Sequence, residues 1–182
     1  AVEANGVYHE LTKTLLLNNV KGVRVVNRYD IENIDTEDWN NAVKTILSEP
    51  QVDDVYEENA PVPSEDEWVL AVEYLPGQFD QRADSASQCI QLSTMKVRPI
   101  VRTARLYYIK GELSEEDKEK IRKTLINPVE AREASLAKPE TIKDSYEKPA
   151  LPPVLDGFTS LDEEGLKKFL ADNGLAMDLA DI

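Results

Sequence analysis

One stretch of the sequence, EYLPGQFDQRADSASQ at residues 73–88, gathers polar side chains in an arrangement that many ligand sites use. An apolar run ends at Leu75, a Pro-Gly pair breaks it, and a helix-like segment opens with acids, amides and an arginine. A helix that begins after a strand and a glycine turn can bind anions through its free N–H groups. The candidate contact residues are Pro76, Gly77, Gln78, Asp80, Gln81, Arg82, Asp84, Ser85 and Gln88.

The same residues also suit a purely structural turn. Pro76-Gly77 is typical of a turn, Asp80 of a helix cap, and Arg82 would then pair with an acid. Alternatively, Arg82 is the sharpest contact residue, because a guanidinium holds a carboxylate or phosphate with two parallel hydrogen bonds. A structural turn and a contact with a neighbouring domain remain alternatives, and both rank ahead of direct substrate contact.

Residues for other catalytic chemistry are scarce. The single histidine, His9, has no companion at metal-ligand spacing, and no phosphate-binding loop or nucleophile elbow occurs. The single cysteine, Cys89, lies on the apolar side of a predicted helix, so we expect a buried structural thiol. Acidic pairs such as Asp53-Asp54 are typical of a solvated face. We therefore assign no catalytic, cofactor-binding or metal-binding residue.

The composition favours a soluble module of one large or two small domains. The chain has 182 residues, of which 41% are hydrophobic, and a formal net charge of −14. Such a surface repels phosphate backbones, so we expect no nucleic-acid partner. The sequence shows no apolar run of about 18 residues, so we also expect no membrane span.

Apolar periodicity predicts an α+β fold. In the first half, helical spacing covers residues 2–17, strand alternation covers 23–31, and a capped helix covers 36–47. A short edge strand is predicted at 52–58. The second half supplies strands at 68–75 and 100–110, a helix with Phe79, Ala83, Ala86 and Ile90 on its apolar face, and a helix capped by Ser114.

The two halves match at a constant offset of 78 positions, from Val23 and Val101 to Pro50 and Pro128. Because strand, helix cap and terminal proline keep one register, we predict a tandem duplication with repeats at about 1–60 and 66–136. Two such units would build one antiparallel sheet with helices on one face.

The composition and the periodicity of the sequence change after the predicted domain at 1–136. Prolines without periodicity predict an extended linker at 137–158. Helical spacing resumes at 159–182, where Thr159 or Ser160 would cap a helix that begins a further helical domain. So short a segment cannot bury its apolar face alone, and we expect the chain to continue beyond its last residue.

Several blocks give the sequence a family resemblance that covers nearly the whole chain. They are GVRVVNRYDIENI, SEPQVDDVYEE, EYLPGQFDQRADSASQCIQL, ARLYYIKGELSEEDKEKIRKTLINPVEARE and LKKFLADNGLAMDLADI. Together they resemble the N-terminal region of the large, single-chain phosphoribosylformylglycinamidine synthases. The segments LPGQFDQRADSA and INPVEARE are the most specific. The family also carries an additional first strand before the VEA at residues 2–4.

The resemblance implies a cytoplasmic enzyme of purine biosynthesis. Such an enzyme uses ATP, Mg²⁺ and glutamine-derived ammonia to convert formylglycinamide ribonucleotide into the amidine. The present residues would form its small-subunit-like tandem domain and the start of its linker domain. Their partners would be the synthetase and glutaminase domains of the same enzyme. The resemblance places no catalytic residue within this chain, so we expect it to be inactive alone and to hold no cofactor.

Two other classes of function compete with this assembly role. One is a stand-alone ferredoxin-like module that dimerises or binds another protein. The other is a small enzyme with an unrecognised site, which ranks last because no polar cluster converges in the sequence. A reading frame that continues into a nucleotide-binding core would favour the assembly role over both.

Overall fold

The alternating apolar pattern folds into an antiparallel sheet with helices packed against it. The computed structural model describes residues 2–143, 151–152 and 154–182, in two compact units, Ala1–Asp144 and Ser145–Ile182. The elements of the first unit are α1 (Val2–His9, extended by a π-helical turn Glu10–Thr14), β1 (Val20–Glu32), α2 (Thr36–Ala42, extended by a π-helical turn Val43–Leu47), β2 (Glu67–Tyr74), α3 (Gln81–Thr94), β3 (Ile100–Gly111), α4 (Glu115–Leu125) and β4 (Ala131–Glu133).

β3 is central to the sheet, whose strand order is β1-β3-β2-β4. β1 pairs with β3 along its whole length, and Asn27 lies opposite Arg105 near the middle of this ladder. β2 pairs with the other side of β3, and that ladder ends where Glu73 lies opposite Ala104. The antiparallel sheet and the α+β class agree with the prediction.

The main core lies between the sheet and the helices. Leu11 of α1 and Ile121 of α4 are fully buried, and they pack with Leu70, Tyr107 and Ile109 from the sheet. These sheet residues occupy alternate positions, so their side chains point to one face. α3 also packs against β3 and contacts α2.

Irregular segments contact the opposite face of the sheet. The buried side chains here include Leu106 and Tyr108. The Tyr108 hydroxyl donates to the Pro61 carbonyl at 2.8 Å, and Arg28 donates to the Ser135 carbonyl at 2.7 Å. The segment before β2, which contains Pro61, and the segment after β4, which contains Ser135, therefore pass over this face.

Polar side chains fix the helix starts as the sequence predicts. Asp35 caps α2 by accepting from the Asp38 N–H, and Ser114 caps α4 in a reciprocal capping box with Asp117. Each cap satisfies an N–H group that has no partner within its own helix. The first-turn acids of α4 add favourable charge at its N-terminus.

The predictions for residues 52–58 and for Cys89 are wrong. Residues 52–58 form no strand: the Val52 and Asp53 N–H groups close a turn onto the Glu49 carbonyl, and the exposed residues that follow are coil and bend. Cys89 is exposed rather than buried. The buried stripe of α3 consists of Ala83, Ala86, Ser87 and Ile90. Cys89 lies roughly 100° around the helix from Ile90 and falls outside that stripe.

The second unit contains a short helical segment. A 3-10 turn spans Phe158–Ser160, and α5 spans Glu163–Asp172. The cap of α5 is Asp162, which accepts from the Gly165 N–H, and not Thr159 or Ser160, because the helix starts after the 3-10 turn. The rings of Phe158 and Phe169 pack edge to face at 5.1 Å.

The predicted linker at 137–158 lies partly outside the described residues. Its described residues, 137–143, 151–152 and 154–157, contain no helix or strand, and its last residue, Phe158, begins the 3-10 turn. Ile142 there is buried, and its N–H donates to Glu32 Oε1 at 2.7 Å. In the part of the chain that the structure describes, no helix has the length and apolar character needed to cross a membrane.

Replacing Ile121 should show how strongly the helix-side core stabilises the fold. Ile121 is 0% exposed, so Ile121→Ala should lower the free energy of unfolding by about 2–5 kcal/mol, through lost burial and a cavity. Leu92→Ala, at a helix position that is 66% exposed, should change it by no more than about 0.5 kcal/mol. Urea unfolding measures both, and equal losses would contradict this description of the core.

The start of α2 should respond to acid through Asp35. The Asp38 N–H and the Lys96 ammonium, which is 2.7 Å from Asp35 Oδ2, lower the pKa of Asp35 from 3.8 to about 2. The pKa of Asp35 is therefore lower in the folded state than in the unfolded state. These contacts stabilise the fold at a pH above the unfolded-state pKa, and the stabilisation is lost as the pH falls through about 2. Lys96→Gln should raise the pKa of Asp35, as measured by a carboxyl-carbon NMR titration. An unchanged midpoint would show that Lys96 does not contribute.

Candidate functional site

The Pro-Gly pair makes the turn that the sequence predicts. The Gln78 N–H donates to the Leu75 carbonyl at 3.0 Å, with Pro76 and Gly77 between them. Gly77 has φ +88°, a left-handed conformation that favours glycine, and proline before such a glycine is typical of a type II turn. The turn is also tied to another segment, because the Leu75 N–H donates to the Glu130 carbonyl at 2.9 Å.

Asp80 joins the start of α3 to β3. Its Oδ1 accepts from the Ala83 N–H at 2.9 Å, which caps the helix as predicted. Its Oδ2 accepts from both the N–H and the hydroxyl of Thr103, at 3.0 and 2.8 Å. The β2–β3 ladder has already ended at Ala104, so Asp80 serves a strand N–H that β2 does not reach. Both carboxylate oxygens of Asp80 are therefore engaged within the domain.

Asp84 has a similar internal role. Its carboxylate Oδ1 lies 2.5 Å from Arg98 Nη2, and the same nitrogen donates to the Asp84 carbonyl at 3.0 Å. Arg98 Nε donates to the Ser87 hydroxyl, which itself donates to the Pro99 carbonyl at 2.6 Å. This network holds α3 against the segment that leads into β3.

Arg82 behaves differently from its acidic neighbours. Its side chain is exposed, and Nη1 donates to the Tyr29 hydroxyl at 3.2 Å. The predicted pairing of Arg82 with an acid is wrong: among the described residues, no carboxylate lies within ion-pair distance of its guanidinium. The tyrosine approaches from β1, and a contact between these two elements does not follow from local sequence.

A cleft of about 510 Å³ opens beside the start of α3 on the helix-covered face of the sheet. Strands β2 and β3 contribute side chains to it, as do the first turns of α3, the end of α4 and the turn that follows. Asn27 and Arg105, which are opposite each other in the sheet, are both exposed, so the helices leave the middle of this face open. The lining residues are Val72, Glu73, Tyr74, Gln81, Arg82, Ser85, Thr103, Ala104, Arg105, Tyr107, Thr124, Leu125, Asn127, Glu130 and Ala131.

The charges around the cleft are partly neutralised. Arg105 Nε lies 3.3 Å from Glu3 Oε1, and Glu73 accepts from Arg132 at 2.8 Å. Burial lowers the pKa of the Arg105 guanidinium, but Glu3 and the Tyr107 hydroxyl raise it above its usual value on balance. Burial raises the pKa of the Tyr107 hydroxyl, which therefore stays protonated at neutral pH.

Apolar side chains lie exposed around the turn itself. Phe79, predicted to face the core, is 70% exposed, because α3 starts only at Gln81 and helical periodicity does not govern the residue before the cap. Val129, in the turn after α4, is 75% exposed. Gln78 Nε2 donates to the Val129 carbonyl at 3.4 Å, so these two turns are neighbours. Together, the turns at 75–79 and 127–130 form what we call the turn surface.

The structure divides the nine candidate contact residues into groups. Pro76, Gly77 and Gln78 form the turn, whereas Asp80 and Asp84 are held in internal hydrogen bonds. Gln88 is exposed further along α3 and does not line the cleft. The remaining candidates, which line the cleft, are Gln81, Arg82 and Ser85.

Sequence reasoning missed the contribution of β3 to this site. Arg105 alternates with apolar residues on the inner face of β3, where a charge is unexpected. Asn27 interrupts the inner face of β1, and the offset of 78 positions makes it the counterpart of Arg105. These two polar residues, at matching positions of the two strands, could have predicted that the helices leave this part of the sheet uncovered.

No protein-family model matches the chain, and no curated protein matches it at a significant level. Across the described residues, no group of three or more His, Cys, Asp or Glu side chains is placed to hold a metal ion. The site is thus defined by its geometry alone: a turn surface, a cap carboxylate and a cleft with two arginines.

Asp80→Ala should destabilise the domain through the loss of three hydrogen bonds. Loss of the helix cap costs about 1 kcal/mol, and leaving the half-buried Thr103 N–H without its partner costs about 1–3 kcal/mol more. Gln88→Ala, an exposed position on the same helix, should change stability by no more than about 0.5 kcal/mol. Chemical denaturation measures both variants, and a loss below about 1 kcal/mol for Asp80→Ala would contradict the assigned role.

Proposed function

We propose that this chain is a non-catalytic assembly domain of a phosphoribosylformylglycinamidine synthase, and that its turn surface contacts neighbouring domains. The proposal rests on the proximity of two segments in the fold. The two most family-specific segments, LPGQFDQRADSA and INPVEARE, lie apart in the sequence but are hydrogen-bonded to each other. Leu75 and Gln78 of the first donate to Glu130 and Val129 of the second.

The exposure of the turn surface supports a contact role. Phe79 and Val129 are large apolar residues that project into solvent, although hydrogen bonds hold the backbone around them in place. An exposed apolar patch on a fixed framework is typical of a surface that another protein part covers. The polar candidates nearby, Gln81, Arg82, Ser85 and Gln88, would lie beside this patch.

The internal bonding of the acids supports a non-catalytic role. A general acid or base must be free to exchange a proton with a substrate. Asp80 and Asp84 instead hold α3 against β3 and Arg98. In the proposed enzyme, ATP, Mg²⁺ and the glutamine chemistry would belong to the synthetase and glutaminase domains, and the enzyme would act in the cytoplasm.

The proposal includes a tandem small-subunit-like repeat, and the spacing of the elements supports it. A shift of 78 positions carries α1 with its π-helical turn onto α3, β1 onto β3, and α2 with its π-helical turn onto α4, within a few residues at each end. The same shift carries Asn27 onto Arg105, and these residues are opposite each other near the middle of the β1–β3 ladder. An approximate twofold axis through this pair would relate the two repeats.

One observation favours the alternative of a stand-alone ferredoxin-like dimerisation module. β1 spans Val20–Glu32 and lies at an edge of the described sheet. Long edge strands can pair with a second chain. A reading frame that ends after Ile182, together with a dimer in light scattering, would favour this alternative over the assembly role.

The turn surface should matter in the complete enzyme and not for the fold of this chain. Phe79→Ser with Val129→Ser should lower glutamine-dependent amidation at least tenfold, because each residue would lose about 1.5 kcal/mol or more of burial against the neighbouring domains. The same variant of the 182-residue chain should retain its stability within about 0.5 kcal/mol, since both side chains are exposed.

Val62→Ser is the matched control, because Val62 is 89% exposed in the connector before β2. It should leave the activity of the complete enzyme unchanged. The 182-residue chain itself should show no turnover of formylglycinamide ribonucleotide with ATP, Mg²⁺ and ammonia. Normal kinetics in the turn-surface variant, or turnover by the isolated chain, would overturn the proposed function.

A further inference from the structure

We infer that the cleft beside α3 is a binding site for a small oxyanion, the phosphate or carboxylate group of a small molecule, held between Arg82 and Arg105. Its volume of about 510 Å³ lies in the range of small-molecule sites. The inference concerns the 182-residue chain itself and does not depend on the proposed assembly role.

Arg82 provides the first argument. The chain carries a formal net charge of −14, so most of its cations have acidic neighbours at hand. Within the described residues, however, the guanidinium of Arg82 contacts only the neutral Tyr29 hydroxyl. This contact uses one of its five N–H donors and fixes the side chain beside the cleft. The positive charge and the remaining donors stay available to an anion.

Arg105 provides a second cation on the floor of the same cleft. Its side chain is 48% exposed, its contact with Glu3 is made through Nε at 3.3 Å, and the Tyr107 hydroxyl is a further neighbour. The two terminal nitrogens of a guanidinium can donate to an oxyanion in parallel. An anion that binds here would therefore share Arg105 with Glu3 and need not displace it.

The carboxylates near the cleft do not cancel this preference. Glu73 is already bound to Arg132, with distances of 2.7 and 2.8 Å to the guanidinium nitrogens. Glu130 is exposed at the rim, where water screens its charge. Glu3 interacts with Arg105 from the side of α1. The cleft thus combines two cations with carboxylates that are paired or solvated.

Neutral donors complete the site. Asn127 Oδ1 accepts from the Val129 N–H at 3.2 Å, which leaves the amide NH₂ group of Asn127 for a ligand. Ser85 contributes an exposed hydroxyl to the cleft, and Gln81 contributes an amide. Such a set of donors around two guanidinium groups matches the acceptor-only chemistry of phosphate and carboxylate oxygens.

Two titrations of the ¹⁵N-labelled 182-residue chain test the inference, one with inorganic phosphate and one with acetate, both at constant ionic strength. We expect saturable shifts of the Arg82, Ser85 and Thr103 amides and of the Arg105 Nε–H signal. The tighter anion identifies the source of the oxyanion. Sodium chloride in place of either anion should give no saturable shift.

Charge-removing variants locate the site. Arg82→Gln and Arg105→Gln should each weaken binding at least tenfold, and Arg82→Lys, which keeps the charge but not the planar fork, should weaken it less. Lys110→Gln is the matched control. Lys110 lies on the opposite face of β3, is 49% exposed, and has one acidic partner at 3.3 Å, as Arg105 does. This control should change affinity less than twofold.

Three results would overturn the inference: no saturable shift with either anion, equal shifts with chloride, or normal affinity in Arg82→Gln. Arg105→Gln also removes the contact with Glu3, so its melting temperature is measured first. If that variant unfolds, the comparison of Arg82→Gln with Lys110→Gln decides the question.

Discussion

The geometry of the site depends on the hydrogen bonds that the Asp80 carboxylate accepts. This carboxylate satisfies two backbone N–H groups that secondary structure leaves without partners, one in the first turn of α3 and one at Thr103, beyond the end of the β2–β3 ladder. A buried N–H without an acceptor costs about 1–3 kcal/mol, so the start of α3 is held where both bonds form. This attachment places the first turn of α3 against β3.

The hydrogen bonds that hold α3 against β3 involve side chains other than those exposed on the turn surface and in the cleft. Asp80, Asp84, Ser87 and Arg98 hold the helix to β3 and the segment before it, and each of them has a partner within the domain. Phe79 and Val129 project from the turn surface, whereas Arg82 and Arg105 border the cleft. The exposed apolar side chains of the turn surface and the two arginines of the cleft thus lie on different sides of the start of α3, and Phe79 and Val129 do not line the cleft.

Much of the fold was predictable because it depends on local rules. Periodicity located the helices and long strands, and short-range hydrogen bonds made the caps at Asp35, Asp80 and Ser114 recognisable. The prediction of an edge strand at 52–58 was wrong, because alternating apolar residues in an acidic, exposed segment bury no surface that would stabilise a strand.

The site itself was only partly predictable, because its key contacts join distant residues. Arg82 meets Tyr29 across 53 positions, and the Gln78 side chain reaches Val129 across 51. Side-chain types predicted a turn, a cap and an arginine able to hold an anion. The cleft depends on where α1, α3 and α4 leave the sheet open, and tertiary packing decides that.

Site-specific photo-crosslinking in the complete synthase that we propose tests the central claim, that the turn surface meets neighbouring domains, most directly. A photoreactive phenylalanine analogue at Phe79, which is 70% exposed, should crosslink to the synthetase or glutaminase domain, and mass spectrometry would locate the bond. The same analogue at Val62, which is 89% exposed, should give no crosslink to either domain. If the Phe79 position formed no such crosslink, or formed no more than the Val62 position, the proposed domain contact would be wrong.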